Sequence, residues 1–383
     1  MLPELTQLIS LRTFMTTDVT RDLWHYALDL AQGLRAYDTD TTLCVIGPRP
    51  DPEQERRARR IRGLKLIFLD LPASYASSPY GLQAASNAVA AIARQEGARV
   101  IHLNNPELAA NADYPAPVVS ACHSCVATRW HAVRTEPLER ELRWHKEFMA
   151  LGLMRSDAVI APTASFARCM SETYHLPALP SVVHKGRRPS MRESLTEGTT
   201  APTAIFAITA CQLWDDGYNL KTLDAAAGKL DLSLFAVGPC ESPDTGQVSF
   251  SHIRWLGHLR EGQLAEWLAA KPIFVSTAIY EPFGLQVLEA AEMGCTLVLS
   301  DIPTHRELWE GAALFAPPHD ADAFATAIRQ IAEDSRLRTL LASAARRRAR
   351  RYTAEVMAAK VRAIYGGLLR TKVRHGIRTE ATA

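Results

Sequence analysis

Two glutamates, Glu281 and Glu289, are separated by seven residues in the segment YEPFGLQVLE. The preceding run PIFVSTAIY predicts a strand and its exit loop, and the run GLQVLEAAEM predicts a helix. Glu281 is therefore expected in the loop, and Glu289 about one and a half turns into the helix. Gly284 lies at the turn, where the backbone can approach a ligand closely and the first N–H groups of the helix lack partners.

This arrangement predicts a site for an anionic ligand that carries hydroxyl groups. The amides of Phe283, Gly284 and Leu285, together with the helix dipole, would attract a diphosphate. Glu289 would then accept hydrogen bonds from a ribose diol, and Glu281 would reach a sugar. The same spacing also fits one solvated carboxylate and one helix-stabilising carboxylate, but the continuous unit of strand, loop, helix and second strand favours the ligand site.

A cysteine pair follows the predicted strand PVVSA, in the run Cys122-His123-Ser124-Cys125. The C-x-x-C spacing does not by itself predict a zinc site, since zinc needs further ligands and the sequence has no second close cysteine pair. A redox pair would open a helix and have a lowered thiol pKa. We interpret the two cysteines as small residues at the end of the strand.

Histidines and an asparagine at two predicted strand ends are further candidates. His123 could hydrogen-bond a sugar hydroxyl, act as a base, or fill a half-buried polar niche, and its position at a strand end favours the first two roles. His102 and Asn104 end the predicted strand in ARVIHLNNPE and are expected on the same side of the site.

The elements that would position these residues alternate along the chain. Short apolar runs such as TTLCVIG and LKLIFLD are separated by helical patterns, which predicts an α/β protein with parallel sheets covered on both faces. We predict two doubly wound, Rossmann-like domains, residues 1–180 and 201–350, joined by a polar linker at residues 181–200. The last residues, 351–383, are predicted to form a helix that could pack back on the first domain. Ligands of such sheets bind beyond the carboxyl ends of the strands, so the cleft between the domains is the expected site.

Composition limits the partners. The 383 residues are enough for two domains. Because 43 Lys and Arg residues balance 41 Asp and Glu residues, no overall charge indicates a nucleic-acid partner. No apolar run has the length of a membrane span, and seven cysteines, an odd number, are typical of reduced thiols, so we predict a cytoplasmic protein. The run RRRARR at 346–351 is interpreted as a solvated helix face that allows at most peripheral membrane contact.

The segment VSTAIYEPFGLQVLEAAEMGCTLVLSDIPTHRELWEGAALF resembles the donor-site region of the retaining GT-B glycosyltransferases of family four. TTDVTRDLWHYALDLAQGL resembles the first loop and helix of that family, and ACHSCVATRWHAV resembles its segment with an acceptor-side histidine, here His123. The resemblance implies a GT-B-like fold and sugar transfer from a nucleotide-diphosphate sugar to an acceptor hydroxyl with retention of configuration. It implies that Glu281 contacts the donor sugar and phosphates and that Glu289 binds the ribose.

The resemblance also implies that no cofactor and no metal is needed beyond the nucleotide-sugar co-substrate. The acceptor would be a carbohydrate, a lipid or a small molecule. His102 and Asn104 would lie on the acceptor side.

The sequence shows three departures from the family pattern near the donor phosphates, which together involve four residues. Arg21-Asp22 stands where the family has two glycines, and Gln212 and Tyr218 stand where it has an arginine and a lysine. Loss of both cations would remove charge-assisted stabilisation of the diphosphate. Lys221 or Arg21 could replace them, as could the cations of the run at 184–188, although each could instead face solvent.

Two alternatives therefore stay open at the level of sequence. The first is an enzyme of the same fold that uses a different donor. The second is a non-catalytic sugar-binding, nucleotide-binding or partner protein that has lost the phosphate-binding cations.

Overall fold

The structure is a computed structural model that describes residues 10–71, 76–188, 201–242 and 246–380. Strands and helices alternate along the chain and form two parallel sheets. Buried side chains pack on both faces of each sheet, so each sheet lies between layers of helices. The predicted α/β fold with two Rossmann-like units is confirmed.

The first sheet has the strand order β3-β2-β1-β4-β5-β6-β7. Its strands are β1 (Leu11–Thr17), β2 (Thr39–Ile46), β3 (Leu64–Leu69), β4 (Val100–Leu103), β5 (Val118–Ala121), β6 (Ala158–Ala161) and β7 (Ser181–Val182). Every residue of β4 and β5 is buried, as expected of central parallel strands that are covered on both faces. On β1, Phe14 and Met15 point to opposite faces and join different clusters of buried side chains.

The helices around the first sheet are α1 (Arg21–Leu34), α2 (Pro52–Arg59), α3 (Pro79–Gln95), α4 (Val126–Val133), α5 (Arg143–Arg155) and α6 (Ala164–Tyr174). Hydroxyl side chains cap the N-termini of two of these helices. Ser78 accepts a hydrogen bond from the amide of Gly81, and Thr163 accepts one from the amide of Phe166. These caps satisfy N–H groups that the first turn leaves unpaired, which explains why α3 and α6 begin where they do.

The second sheet has the order β12-β9-β8-β13-β14-β15, and a short antiparallel pair, β10-β11, lies outside it. The strands are β8 (Ala207–Ala210), β9 (Leu234–Val237), β10 (Glu241–Ser242), β11 (Gly246–Gln247), β12 (Arg254–Trp255), β13 (Ile273–Ser276), β14 (Thr296–Ser300) and β15 (Ala313–Ala316). Its helices are α7 (Leu220–Ala227), α8 (Glu261–Ala269), α9 (Leu285–Met293), α10 (Pro303–Trp309), α11 (Ala321–Glu333) and α12 (Ser335–Ala349). In both sheets the strand order reverses beside the first strand, which creates a crevice at the carboxyl ends of the strands.

The C-terminal helix, α13 (Ala354–Glu380), lies against the first sheet. Its residues Met357, Val361 and Tyr365 join the cluster that contains the apolar face of α1. Close approach depends on small residues, because a Cβ atom added to Gly33 of α1 would lie 2.7 Å from the Cβ of Ala358. After the second sheet the chain thus returns to pack against helix α1 of the first domain.

The segment predicted as a linker is partly structured. Residues 181–182 form β7, and the chain that follows is buried, with Lys185 and Arg187 only 5% and 3% exposed. The linker prediction is therefore wrong for residues 181–188, because the guanidinium of Arg187 is held by Asp29 of α1 at 2.8 Å and by Glu261 of α8 at 3.2 Å. The rest of the predicted linker, residues 189–200, lies outside the described residues.

The arginine-rich run predicted as a solvated face lies at the end of α12 and just beyond it. Arg346, Arg347, Arg350 and Arg351 are exposed. Arg348 instead donates hydrogen bonds to the carbonyl oxygens of Leu308 and Glu310. Among the described helices, none combines the length and apolarity needed to cross a bilayer.

Candidate active site

A cavity of about 580 Å³ lies between the carboxyl ends of the two sheets. Its first-domain wall is formed by the end of β1, the end of β4 and the loop before α4, and its second-domain wall by the loops that follow β8, β9 and β13. The lining residues used below are Asp22, Asn104, His123, Cys125, Lys185, Cys211, Gln212, Tyr218, Tyr280, Glu281 and Gln286. The cavity therefore occupies the crevice where ligands of doubly wound sheets bind.

Glu281 occupies the start of α9. Its Oε1 accepts hydrogen bonds from the amides of Phe283, at 3.2 Å, and Gly284, at 2.8 Å. Gly284 has φ +82°, a conformation that favours glycine. The sequence analysis assigned these two amides to a diphosphate, and the structure corrects that assignment. The carboxylate of Glu281 accepts their hydrogen bonds instead, because its side chain reaches the N–H groups that the start of the helix leaves unpaired.

The surroundings of Glu281 bring the pKa of its carboxyl group close to neutral pH. Burial, with the negative charge of Asp22 nearby, raises the pKa of Glu281 to about 7. The amide of Phe283 and the charge of Lys185 act in the opposite direction. Glu281 can therefore be present as carboxylate or as acid near pH 7.

Lys185 is the cation that the sequence analysis did not single out. It lies between β7 and the buried Arg187, is 5% exposed, and lines the cavity. Its charge affects the pKa values of both Glu281 and His123. Among the described residues we find no ion pair or hydrogen bond of its ammonium group, so a buried positive charge is available to an anionic ligand. The only sequence signal was its place in the basic run at 184–188.

Lys221 and Arg21 were the other cations that the sequence analysis proposed for the phosphate site. Lys221 is on the exposed face of α7 and is not among the residues that line the cavity, so it does not replace the absent family cations in this structure. The side chain of Arg21 lies outside the described part of the chain. Gln212 and Tyr218 line the cavity, as the resemblance implied for their positions, but neither brings a charge.

His123 and Asn104 form one polar unit on the first-domain wall. His123 Nε2 lies 2.9 Å from Asn104 Oδ1, so Nε2 carries the proton and donates it. The amide nitrogen of the Asn104 side chain donates to the carbonyl of Thr16 at 2.7 Å, which fixes the orientation of the asparagine. Burial and the charge of Lys185 hold the pKa of His123 well below its usual value, and its Nδ1 is buried with no partner among the described residues. The imidazole is therefore neutral, with one unpaired acceptor nitrogen.

His102 is a packing residue, so its predicted place on the acceptor side is wrong. It is fully buried on β4, where the hydroxyl of Tyr365 lies 2.8 Å from its Nδ1 and the hydroxyl of Tyr26 lies 3.4 Å from its Nε2. Burial lowers the pKa of His102 to about 4. Period-two alternation along β4 directs this side chain towards α13 rather than into the cavity.

Glu289 also lies away from the cavity, contrary to the ribose role assigned from sequence. Its carboxylate is 2% exposed on α9 and forms an ion pair with the Nε of Arg187 at 3.2 Å. A ribose contact would require this buried pair to separate, at the cost of an uncompensated buried charge. The side chains of Phe283 and Leu285 are equally remote, because both pack in the core of the second domain.

Several contacts join the two walls of the cavity. Gln286 of α9 donates to Asp22 of α1 at 3.0 Å, which gives a structural role to the residue that replaces a family glycine. The hydroxyl of Tyr280 accepts a hydrogen bond from the amide of Cys125 at 3.3 Å. Within the described ranges no group of three or more histidine, cysteine, aspartate or glutamate side chains could hold a metal ion.

Two Rossmann-like units that face each other across a ligand-sized cavity define the GT-B architecture, and solved structures share it. Sucrose-phosphate synthase from Thermosynechococcus elongatus superposes with a TM-score of 0.73 at 16% identity over 94% of this chain and all of that one. HepE from Anabaena, solved in complex with UDP-glucose, has a TM-score of 0.71 at 15% identity over 93% of this chain and all of that one. At such low identity these likenesses show the fold.

The family follows from the sequence profiles. The profile described as "Glycosyltransferase Family 4" matches residues 23–190, and the profile described as "Glycosyl transferases group 1" matches residues 250–348. Together they match more than half of the chain, one in each domain. The chain belongs to the group 1 glycosyltransferases, with a GT-B fold.

Two relatives match over shorter segments. The O-antigen chain mannosyltransferase B of Escherichia coli is 36% identical over 88 residues, which are 23% of this chain and 23% of that protein. The phosphatidyl-myo-inositol mannosyltransferase of Mycolicibacterium smegmatis is 31% identical over 117 residues, which are 30% of each chain. The matches thus span less than a third of either relative.

Proposed function

We propose that the chain transfers a sugar from a nucleotide-diphosphate sugar to an acceptor hydroxyl, with retention of the anomeric configuration. The observation that carries the proposal is Lys185, a residue only 5% exposed that lines the interdomain cavity beside Glu281 and the start of α9, with no ion pair or hydrogen bond of its ammonium group among the described residues. An anionic ligand in the cavity would supply the charge partner that this cation lacks.

Lys185 would act on the leaving group. Negative charge grows on the diphosphate as its bond to the sugar breaks, and a fixed cation in an enclosed site stabilises that charge more in the transition state than in the ground state. The positive end of the α9 dipole adds to this effect. Lys185 would then supply, from the crossover between the domains, the charge that Gln212 and Tyr218 lack.

The carboxyl of Glu281 would orient the donor sugar. Its hydrogen bonds to the amides of Phe283 and Gly284 fix its position, so one carboxyl oxygen stays available for a sugar hydroxyl. A diphosphate beside it would favour the protonated form of Glu281, because two negative charges at close range repel each other.

His123 and Asn104 would bind the acceptor from the opposite wall. The neutral imidazole lines the cavity, and its hydrogen bond to Asn104 fixes the ring against which the acceptor would lie. The hydroxyl oxygen attacks the sugar on the face from which the diphosphate leaves, and an oxygen of the leaving diphosphate takes the proton. No side-chain nucleophile is required for this route.

The relatives support a hexosyl donor. Two of them are named as mannosyltransferases, and the Anabaena neighbour was solved with UDP-glucose. The acceptor would be a carbohydrate, a lipid or a small molecule, and the odd number of cysteines supports a reducing, cytoplasmic location.

A specific observation favours a second candidate, a protein that binds a nucleotide or sugar without transferring it. Gln212 and Tyr218 leave the second-domain wall without the two family cations, and Glu281 already occupies the amides at the start of α9. An enzyme of the same fold with a less charged donor would fit these features as well.

Calorimetric titration with nucleoside diphosphates and their mannose and glucose conjugates tests the proposal. We expect at least one diphosphate conjugate to bind more tightly than the corresponding monophosphate and to be consumed when acceptor sugars or polyprenyl lipids are added. NMR of the product should show the anomeric configuration of the donor. Binding without consumption across the acceptor panel would favour the non-catalytic candidate, and an inverted product would contradict retention.

A further inference from the structure

Two cysteines flank His123 on the first-domain wall of the cavity. Cys122 directly follows β5 and is fully buried. Cys125 is the N-cap residue of α4, is 6% exposed, and lines the cavity. The C-x-x-C spacing and the position of Cys125 at a helix start are both settings in which the pKa of a thiol is lowered.

The Cys125 sulfur is surrounded by hydrogen-bond donors. The hydroxyl of Tyr174 donates to it at 3.0 Å, and the hydroxyl of Thr128 lies 2.9 Å away. Thr128 Oγ1 also donates to the carbonyl oxygen of Cys125 at 3.2 Å and lies 2.9 Å from the hydroxyl of Tyr280, which can donate to it. The Cys122 thiol, which also lowers the pKa of Cys125, donates to the carbonyl of Ser124 at 3.5 Å. A sulfur that accepts hydrogen bonds from neighbouring hydroxyl groups is stabilised as a thiolate.

The charge state of Cys125 agrees with this geometry. Burial alone would raise the pKa of Cys125, but the hydrogen bonds from Cys122, Thr128 and Tyr174 outweigh burial and lower it to about 7. Cys211 lines the same cavity, but there burial outweighs a single hydrogen bond from Thr209, and the pKa of Cys211 lies well above the usual value. The difference between two cysteines of one cavity therefore comes from the donors around Cys125.

We propose that Cys125 and Cys122 are a peroxide-sensitive dithiol pair, and that their disulfide rearranges the wall of the cavity around His123. Cys125 is the reactive member because it faces the cavity, whereas Cys122 lies directly behind it. This site is independent of the proposed sugar transfer, since neither sulfur is needed for that reaction.

The chemistry takes two steps with hydrogen peroxide or an alkyl peroxide as oxidant. The Cys125 thiolate attacks one peroxide oxygen, the O–O bond breaks, and the sulfenic acid forms as hydroxide or alkoxide leaves. The sulfur of Cys122 then attacks the Cys125 sulfur, the S–O bond breaks, and the departing hydroxide takes the Cys122 proton to give water. Overall two thiols lose two electrons and two protons, and the peroxide is reduced.

The disulfide would change the position of His123. A disulfide needs its sulfurs about 2 Å apart, and His123 and Ser124 are the two residues of the short loop that this bond would close. His123 is held by the 2.9 Å hydrogen bond to Asn104 and by the edge-to-face contact of its ring with the ring of Tyr26, whose centroid lies 4.4 Å away. Oxidation would also remove the thiolate that Thr128 and Tyr174 contact, at the first turn of α4. The acceptor wall would thus differ between the reduced and the oxidised protein.

Peptide mapping of the full chain tests the proposal without any assay of transfer. The reduced protein is treated with equimolar hydrogen peroxide at pH 7, remaining thiols are alkylated, and the peptides are analysed by mass spectrometry without reduction. We expect a disulfide between Cys122 and Cys125, reversed by dithiothreitol, before Cys211 or Cys169 reacts. The rate at Cys125 should exceed that at Cys211 by at least about tenfold, because far more of it is thiolate.

Variants separate the two steps. Cys122→Ser should stop at a sulfenic acid on Cys125, which dimedone traps, and Cys125→Ser should leave Cys122 unmodified. Cys211→Ser is the matched control and should form the disulfide at the rate of the original protein. Equal reactivity of Cys125 and Cys211 in the folded original protein, or no disulfide between Cys122 and Cys125, would overturn the proposal. Because both results come from the unsubstituted chain, a variant that fails to fold does not affect the conclusion.

A second measurement tests the structural consequence. In protein with labelled histidine, the imidazole NMR signals of His123 should shift on oxidation and return on reduction, whereas those of the buried His305 should not. Unchanged His123 signals in a protein that has formed the disulfide would refute the proposed rearrangement.

Discussion

At the scale of single residues, Lys185 is central to the candidate site. It does not occupy either of the positions at which the family carries its phosphate-binding cations. Its side chain is buried, and its charge lowers the pKa values of the neighbouring Glu281 and His123. Charge-assisted hydrogen bonds in an enclosed site contribute about 1.5–3 kcal/mol each, so a single buried cation can determine whether a diphosphate binds.

Lys185→Met should therefore weaken binding of a nucleoside diphosphate by roughly 10- to 100-fold, because the stem of the side chain is kept and the charge is lost. If transfer occurs, kcat should fall further than binding, since the charge of the leaving group grows in the transition state. Calorimetry and turnover measure the two effects. Lys221→Met is the matched control, because Lys221 is exposed and does not line the cavity, and it should change neither quantity. Equal effects of the two substitutions would contradict the role of Lys185.

At the scale of elements, the crossover from β7 to the second domain holds the site together. Lys185 faces the cavity and Arg187 binds Asp29, Glu261 and Glu289, while Gly186 lies between them. A Cβ atom on Gly186 would lie 2.1 Å from the carbonyl oxygen of Thr353, so the crossover is pressed against the chain that leads into α13. This close contact fixes Lys185 and Arg187 on opposite sides of one short segment.

Gly186→Ala should destabilise the protein by roughly 1–3 kcal/mol, because the crossover must move away from rigid backbone. It should also weaken diphosphate binding, since Lys185 moves with the segment. Gly367→Ala is the control: Gly367 lies in α13 with no atom within 4 Å of an added Cβ, and alanine there should stabilise the helix by up to about 1 kcal/mol. Chemical denaturation measures both changes. A Gly186→Ala protein as stable as the original would show that the segment is not constrained by Thr353.

At the scale of the whole molecule, a carboxylate of the second domain caps a helix of the first. Glu307 of α10 accepts hydrogen bonds from the amides of Ala164 and Ser165, at 2.8 and 2.7 Å, at the start of α6. Partial burial alone would raise the pKa of Glu307, but the contacts with His184, Ser165 and Ala164 lower it to about 2. The cap joins the two domains on the side of α6, next to the contact of Thr163 with Pro282.

Glu307→Gln should lower the free energy of unfolding by roughly 1–3 kcal/mol at neutral pH, because the helix start loses a charged acceptor. The contribution of Glu307 is present above its unfolded-state pKa of about 4.5 and is lost as the pH falls from there towards 2. The difference between the original and the Gln protein should accordingly shrink over that range in acid denaturation. Glu310→Gln is the control at the end of the same helix, because the Glu310 side chain is 62% exposed and, among the described residues, forms an ion pair with Arg306 alone. A difference that persists at pH 2 would contradict this role.

Much of the fold could be predicted from sequence, because hydrophobic periodicity is a local property of the chain. The alternation of apolar runs and helical patterns predicted two parallel sheets, and the two sheets are present. The boundary after residue 180 was less predictable. Residues 184–188 are polar and basic, as in a linker, yet Lys185 and Arg187 are buried. The guanidinium of Arg187 is surrounded by the carboxylates of Asp29, Glu261 and Glu289, which lie far away in the chain.

Sequence by itself determined where strand ends would bring polar groups to the cleft, as for Asn104, His123 and Glu281, since strand ends follow from local pattern. Which side chains line the cavity was decided only by the tertiary structure. Glu289 is turned to Arg187, His102 to Tyr365, and Lys221 to solvent, whereas Lys185 faces the cavity. The physical reason is that direction, burial and charge pairing depend on residues far away in the chain, whose positions no local pattern encodes. The surroundings of Cys125 likewise depend on distant residues, since Tyr174 of α6 donates to its sulfur and Tyr280 of the second domain contacts Thr128.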